Sequence, residues 1–376
     1  MLSCSELGLG HASRLILLGK KLEEKGHELF LFSGGSAYEL LKREFRNVYY
    51  CTPVAWYENA RGISISASLL NILFPIPYSN QGKIGIKVPS GIETVHRYYD
   101  LRRNIKKIKP NLIVSDGDLH ALRLAHRWKF MAVYVTNVIR PSYRFHISLI
   151  PGERFIERYV KKCSKIIVPD NPPPYTICEY NIGNLDDVNI KDKVEFVGSF
   201  IDMTPIEGME NHIFASISGP VGTKAKLKQI LIPVLSELKI KSVVSLGEHG
   251  KRSVTRIGNC TIFTWLSAHE RREFMANAKL VIFSGGHTTC FETIKHVKPS
   301  ICIPTQPEQW ANAKKMQDMG CSIIAENRAQ LTQAIKKMEM EIEFYKHNVR
   351  KLNQYSHMFE GVKNAVKIIE AVVANS

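Results

Sequence analysis

The sequence predicts an α/β protein of two Rossmann-like domains, each a parallel sheet flanked by helices, facing one another across a cleft. Three observations carry this. Short apolar runs alternate with segments of helical periodicity along the chain. A glycine-rich turn stands at a strand–helix junction in each half, at residues 8–14 and 284–289. The length, 376 residues, suits two domains that each bury a core, at about 100–200 residues per domain.

Taken in order, residues 1–4 form a first strand shorter than the usual ~5–6 residues. Residues 13–25 place Leu15, Leu18 and Leu22 at helical spacing. Gly26 ends that helix, and residues 28–33 (ELFLFS) read as a buried strand. After Pro110 come a strand at 111–115, a helix at 120–128, a strand at 131–136 and another at 165–169. Proline and glycine then thicken at 171–174, Gly183 and Gly198, which puts the hinge near 197–205. The second half opens with a strand at 213–218 that ends at Gly219-Pro220. A helix at 224–238 and a strand at 241–246 follow. A strand at 280–283 meets Ser284-Gly285-Gly286, and then come a helix at 288–296, a strand at 300–304 and a helix at 311–319. Val362, Val366, Ile369 and Val372 mark a terminal helix. The domains are therefore 1–197 and 198–345, and helices at 346–376 are expected to pack back toward the first domain.

Lys plus Arg total 51 against 35 for Asp plus Glu, a net charge of +16. Such a surface attracts polyanions, with basic clusters at 97–109 and 140–165. The clustered aromatic and basic patterns of common RNA modules are missing, so nucleic acid is not an expected partner. The eight cysteines form no C-x-x-C pair and no zinc spacing. They read as small core residues in a reducing compartment. The glycine motif begins too early to leave room for a secretory signal. The apolar stretch at 63–78 is shorter than the ~20 residues of a spanning helix and is broken by prolines. The expected location is cytoplasmic, with peripheral contact at the inner face of the cell membrane as a further expectation.

The first glycine turn, Gly8-Leu9-Gly10-His11, opens a helix after the first strand. Glycine there lets a ligand approach the backbone, and a neutral imidazole at that point can take a proton from a hydroxyl. A histidine base needs an orienting carboxylate, and the strand end near Ser115 offers Asp116 and Asp118. The second turn, Gly285–Thr289, puts free backbone N–H groups and two hydroxyls at a helix start, a cradle for a diphosphate. Glu292 lies one helical turn on and suits a ribose diol. Gln306, Glu308, Gln309 and Asn312 offer polar groups for sugar hydroxyls.

The segment 280–320 resembles the donor signature of GT-B glycosyltransferases. It is similar to the plant-type UDP-glycosyltransferase box and to its counterpart in the bacterial peptidoglycan N-acetylglucosaminyltransferase. On that resemblance Gly286, Thr288, Thr289 and Glu292 fall on phosphate- and ribose-binding positions. Glu308-Gln309 fall on the pair that holds the donor sugar, and Asn312-Ala313 on its following Asn-Ala. Gly8-x-Gly10-His11 resembles the same families' first loop, whose histidine is the base. Together with Gly26-His27-Glu28 and residues 32–35 it looks most like a set of prokaryotic, largely archaeal, glycosyltransferases. Ser284 stands where the plant box has histidine and His287 where it has tryptophan. Residues 50–100 carry none of the resemblance.

The resemblance implies inverting transfer of a hexosyl or N-acetylhexosaminyl group from a nucleoside-diphosphate sugar, with UDP the expected carrier. No metal or other cofactor is expected. His11 would be the base and Asp116 its partner. The donor would be held by Gly219, Gly286, His287, Thr288, Thr289, Glu292, Glu308, Gln309 and Asn312. Gly10, Asn137 and Arg140 would line the acceptor side, and Trp265 is a candidate to flank the donor base. A lipid or lipid-phosphate acceptor would account for the basic patches, with the apolar stretch 69–78 docking on an anionic membrane. The alternatives are a nucleotide-sugar epimerase of the same architecture and a non-catalytic nucleotide-sugar-binding protein.

Overall fold

The computed structural model describes the whole chain except residues 7, 8, 55, 60, 61, 81, 82, 187, 207, 220, 249–251 and 376. Gly8 of the first motif and Pro220 of the second-half loop lie outside the described residues. The first half begins β1 (Leu2–Cys4), α1 (Leu9–Glu24), β2 (Leu31–Ser33), α2 (Gly35–Glu44) and β3 (Val48–Tyr50). Next come β4 (Glu58–Asn59), β5 (Gly62–Ile63), α3 (Ile65–Leu70), β6 (Ile76–Asn80), β7 (Lys83–Lys87) and α4 (Ser90–Ile108). It continues with β8 (Leu112–Asp116), α5 (Leu119–Arg127), β9 (Met131–Val135), α6 (Ile150–Val160), β10 (Lys165–Val168), α7 (Glu179–Ile182) and β11 (Val194–Phe196). The sheet order is β11-β10-β9-β8-β1-β2-β3, parallel throughout.

The second half holds β12 (His212–Ser216), α8 (Val221–Glu237), β13 (Ser242–Ser245), β14 (Val254–Ile257), β15 (Cys260–Phe263), α9 (Ala268–Ala276) and β16 (Ala278–Phe283). After these come α10 (His287–Lys295), β17 (Ser300–Cys302), α11 (Pro307–Asp318), β18 (Ser322–Ile324), α12 (Arg328–Met340), α13 (Ile342–Ser356) and α14 (Gly361–Ala374). Its sheet runs β14-β15-β13-β12-β16-β17-β18, with only β14 antiparallel to its neighbour.

The central strands are buried on both faces, as parallel sheets covered by helices require. β8 and β12 are buried at every position. Leu15, Leu18 and Leu22 of α1 share a core with Val366 and Ile369 of α14, so the last helix crosses back onto the first half. α13 stays behind, packing Val349 and Leu352 against Phe291 and Ile294.

Several boundaries differ from the sequence reading for physical reasons. β2 is shorter than the expected 28–33 because its neighbour β1 is short: Leu2 pairs with Leu31 and Ser3 with Phe32. α1 starts at Leu9, so Gly10 and His11 lie in its first turn. α11 starts at Pro307, a residue suited to a helix's first turn, which puts Glu308 and Gln309 on the helix instead of in a loop. All eight cysteines are free and buried. Among the described residues no helix is long and apolar enough to cross a membrane.

Candidate active site

The carboxyl ends of both sheets meet at two helix starts. On the first half, α1 carries His11 and, one turn later on the same face, Arg14. On the second, Gly286 caps α10, and His287, Thr288 and Thr289 form its first turn. The two are nearly in contact: a side chain at Gly10 would start 3.6 Å from Thr288 Oγ1. A cavity of about 30 Å³ separates Ser13, Arg14 and Leu17 from His287, Thr288 and Phe291.

His11 Nδ1 lies 2.7 Å from Asp116 Oδ1. Arg14 Nη2, which can only donate, lies 3.0 Å from the same nitrogen; the shorter contact, to a carboxylate that can only accept, favours the proton on Nδ1 and leaves Nε2 as the basic nitrogen. Arg14 grips the same carboxylate in a fork, Nη2 to Oδ1 at 2.7 Å and Nε to Oδ2 at 3.1 Å. Burial alone would raise the Asp116 carboxyl, yet the Arg14 charge and the hydrogen bonds from His11 and Arg14 hold it below its ordinary value. Gly117, at φ +72, makes the room: a Cβ there would sit 2.9 Å from His11 Cε1. Asp118, the other sequence candidate, is turned away from the cleft. It caps α5 and pairs with Arg97 at 2.8 Å, which also binds Glu6.

A polar chain then crosses the cleft. Arg14 Nη1 donates to Asn137 Oδ1 at 3.2 Å, and Asn137 Nδ2 donates to Glu308 Oε1 at 2.7 Å. Asn181 Nδ2 donates to Glu308 O at 3.1 Å and to Asn312 Oδ1 at 2.9 Å, and Asn312 Nδ2 donates to Gly285 O at 3.1 Å. Asn312 is therefore a buried strut between the two halves, with both ends of its amide taken up inside the protein. Gln309 is buried, and its Oε1 accepts from Thr305 N and Oγ1, fixing the loop before α11. Arg140 is drawn toward α6, where Nε donates to buried Glu157 at 3.0 Å. Arg144 instead crosses to the second half and lies 3.8 Å over the Trp310 ring.

In the donor half the first-turn N–H groups of α10 have no partner within the helix. His287 Nε2 pairs with Asp170 Oδ2 at 2.9 Å across the two halves. Glu292 is held by Arg271, whose Nη2 lies 2.5 Å from Oε2. Gly219, at φ +101, turns the loop between β12 and α8. Trp265 follows β15 and is half-buried.

Asp170, Cys178 and His287 lie within 4.8 Å of one another, close enough to be considered as metal ligands. Their bonding argues otherwise. Asp170 already accepts from the N–H groups of Asn171, Ile177 and Cys178 as well as from His287. Burial drives the Cys178 thiol well above its ordinary value, and the neighbouring Asp170 charge adds to this.

Sequence reasoning did not single out Arg14, Gly117, Asp170, Asn181 or Arg271. Arg14 could have been found from its position one helical turn after His11. The others are recruited by partners distant in sequence, which leave no local signal.

Residues 238–366 match the glycosyltransferase family 28 C-terminal domain. An uncharacterized glycosyltransferase of Methanosarcina acetivorans is 24% identical over 98% of this chain and 96% of its own. Among solved structures, MurG of Acinetobacter baumannii superposes with a TM-score of 0.63 at 14% identity, covering 99% of each chain. The spinosyn rhamnosyltransferase SpnG complexed with thymidine diphosphate gives 0.68 at 13% identity, covering 98% of this chain and 99% of its own. Two parallel-sheet domains with a family 28 C-terminal domain in the second half make this chain a glycosyltransferase of the GT-B type.

Proposed function

We propose that this protein transfers a hexosyl group from a UDP-sugar to an acceptor hydroxyl, with inversion and without a metal. The observation that carries the reading is the His11–Asp116 pair set beside the α10 N-terminus. His11 Nε2 takes the proton of the attacking hydroxyl. Asp116 holds the ring's tautomer and balances the imidazolium that forms. The bond from the anomeric carbon to the diphosphate oxygen breaks as the new one forms, and negative charge grows on the leaving group. The N–H groups of Gly286–Thr289, the Thr288 and Thr289 hydroxyls and the Gly219 loop receive that charge. Glu292 takes the ribose. Glu308, tied through Asn137 to the catalytic half, addresses the sugar. A nucleoside diphosphate bound to the neighbour SpnG supports a donor of that class. The transferase domain match gives no support to the epimerase alternative.

The acceptor is read as lipid-linked, drawn from an anionic membrane surface. Leu70, Leu73 and Phe74 are 55%, 74% and 57% exposed at the tip after α3. This tip is joined to the start of α4 through Ser90 N to Asn71 O at 2.8 Å and Gly91 N to Ile72 O at 3.1 Å. α4 adds exposed Ile92, Val95 and Tyr99 and the basic Arg102, Arg103, Lys106 and Lys107. Apolar anchors beside lysine and arginine are what binding at an anionic interface requires.

The test is UDP binding by calorimetry together with turnover of a UDP-sugar panel. Wild type and His11→Ala should bind UDP alike, and only wild type should turn over. Turnover surviving in His11→Ala would remove the base assignment.

A further inference from the structure

Arg14 is a buried cation to which the proposed reaction gives no step. Its side chain is 8% exposed, and every nitrogen of its guanidinium is engaged inside the protein. Nε and Nη2 fork onto the two oxygens of Asp116, and Nη1 donates to Asn137 Oδ1. Asn137 in turn donates to Glu308 of the second half. The direction of that amide is fixed. Its oxygen meets a group that can only donate, and its nitrogen meets a carboxylate that can only accept. Burial alone would weaken the Arg14 charge, but Asp116 more than reverses that, and Glu308 adds to it. The contact with His11 is the one that matters for chemistry. Nη2 lies 2.7 Å from Asp116 Oδ1 and 3.0 Å from His11 Nδ1. A guanidinium free to turn would donate to Nδ1 instead of to the carboxylate. The ring proton would then sit on Nε2, and the ring would have no nitrogen left to take a proton from a hydroxyl.

We propose that Arg14 is a positioning residue that selects the working tautomer of His11, and that Asn137 holds it to this task from the cleft. This rests on the reading of His11 as the base given above. Three anchors, the two Asp116 oxygens and Asn137 Oδ1, set the plane of the guanidinium. In that plane Nη2 is directed onto Oδ1, the ring's Nδ1–H fills the remaining lone pair of the same oxygen, and Nε2 stays bare. Loss of the Asn137 anchor frees one edge of the guanidinium and lets Nη2 swing toward Nδ1. Lysine keeps the charge, but its single ammonium has neither the planar fork nor a second arm for Asn137. Because the same Asn137 amide is bonded to Glu308, the base is set in its working form by a chain that runs into the donor half.

The experiment is nitrogen NMR of the full chain labelled with ¹⁵N-histidine, with the His11 signals identified by their loss in His11→Ala. It is read beside turnover of the UDP-sugar panel and UDP affinity by calorimetry. Wild type should show the neutral ring protonated on Nδ1. Arg14→Lys and Asn137→Ala should both move the proton toward Nε2 and lower kcat by about ten- to a hundredfold, with UDP affinity unchanged. Asn137→Ala carries the test if Arg14→Lys does not fold, and the tautomer alone decides if no sugar of the panel is turned over. A wild-type ring protonated on Nε2 overturns the inference. So do variants that keep the wild-type tautomer, whether their turnover is intact or falls together with UDP affinity: Arg14 is then only structural, while the base assignment stands. If His11→Ala turns over as wild type does, the inference falls together with the base reading.

Discussion

A histidine at a helix start becomes a base only when one nitrogen is tied down. Here Asp116 does that, and Arg14 keeps Asp116 charged, so the three side chains act as a unit. Replacing His11 with alanine should lower kcat by about 10²–10⁴-fold with UDP affinity kept, measured by steady-state turnover beside calorimetry. Gly117→Ala should have a similar signature at smaller size. Its new methyl would displace the imidazole, and a glycine at φ +72 is also where a side chain strains the backbone. The expected reading is reduced kcat with unchanged UDP affinity, and unchanged kcat would show that the ring has room to shift.

At the scale of elements, α10 is set at both ends. Its start is the proposed anion cradle, and its C-cap, His296, is buried with Nδ1 unpartnered. Burial lowers the His296 pKa to about 4, helped by the nearby Lys295 charge. The folded-state value lies below the unfolded one, so the unfolded chain takes the proton first. This contribution to stability is full above about pH 6.5 and declines as the pH falls toward 4. Denaturant titrations of wild type and His296→Phe across that window should show a flatter curve for the variant. Another element depends on one close crossing. α14 begins at Gly361, where a Cβ would lie 2.1 Å from Ser199 O. Gly361→Val should therefore cost about 1–3 kcal/mol through overpacking, seen as a lower denaturant midpoint. The same change should loosen the C-terminal helix, read as faster hydrogen exchange in residues 361–374.

At the scale of the whole molecule, the two halves are linked by apolar packing, of α14 on the first half's core and of Ile177 on the second's, and by polar contacts across the cleft. Asn137–Glu308 and His287–Asp170 both cross between them. The net charge of +16 and the apolar tip predict binding to vesicles containing anionic lipid, weakening as salt rises. Serine at Leu70, Leu73 and Phe74 together should abolish that binding in a sedimentation assay while UDP affinity stays the same. Vesicle binding that survives the triple change would move the docking surface elsewhere.

The sequence by itself determined what is local. The alternation of apolar strands with amphipathic helices specifies two parallel sheets, and the glycine turns at 8–14 and 284–289 mark the helix starts that meet in the cleft. The pairing of His11 with a carboxylate near Ser115 was also legible, because strand ends of one sheet gather at one edge. What only the tertiary structure decided is which groups become partners across long separations. Asp116, which the sequence reading named, lies against His11, and the tertiary structure adds why Asp118 does not: it is held as a helix cap against Arg97. Arg271 reaches Glu292 because α9 packs beside α10's first turn, and Gln309 is spent on its own loop. Residues 50–100 carried none of the family resemblance and showed only an apolar stretch at 63–78, yet they supply the exposed tip and the first turns of α4, whose Leu101 and Ile105 pack in the first half's core. Local propensity is set by neighbours along the chain, whereas ion pairs and hydrogen bonds are set by distance in space. That distance exists only once the two sheets have formed and docked.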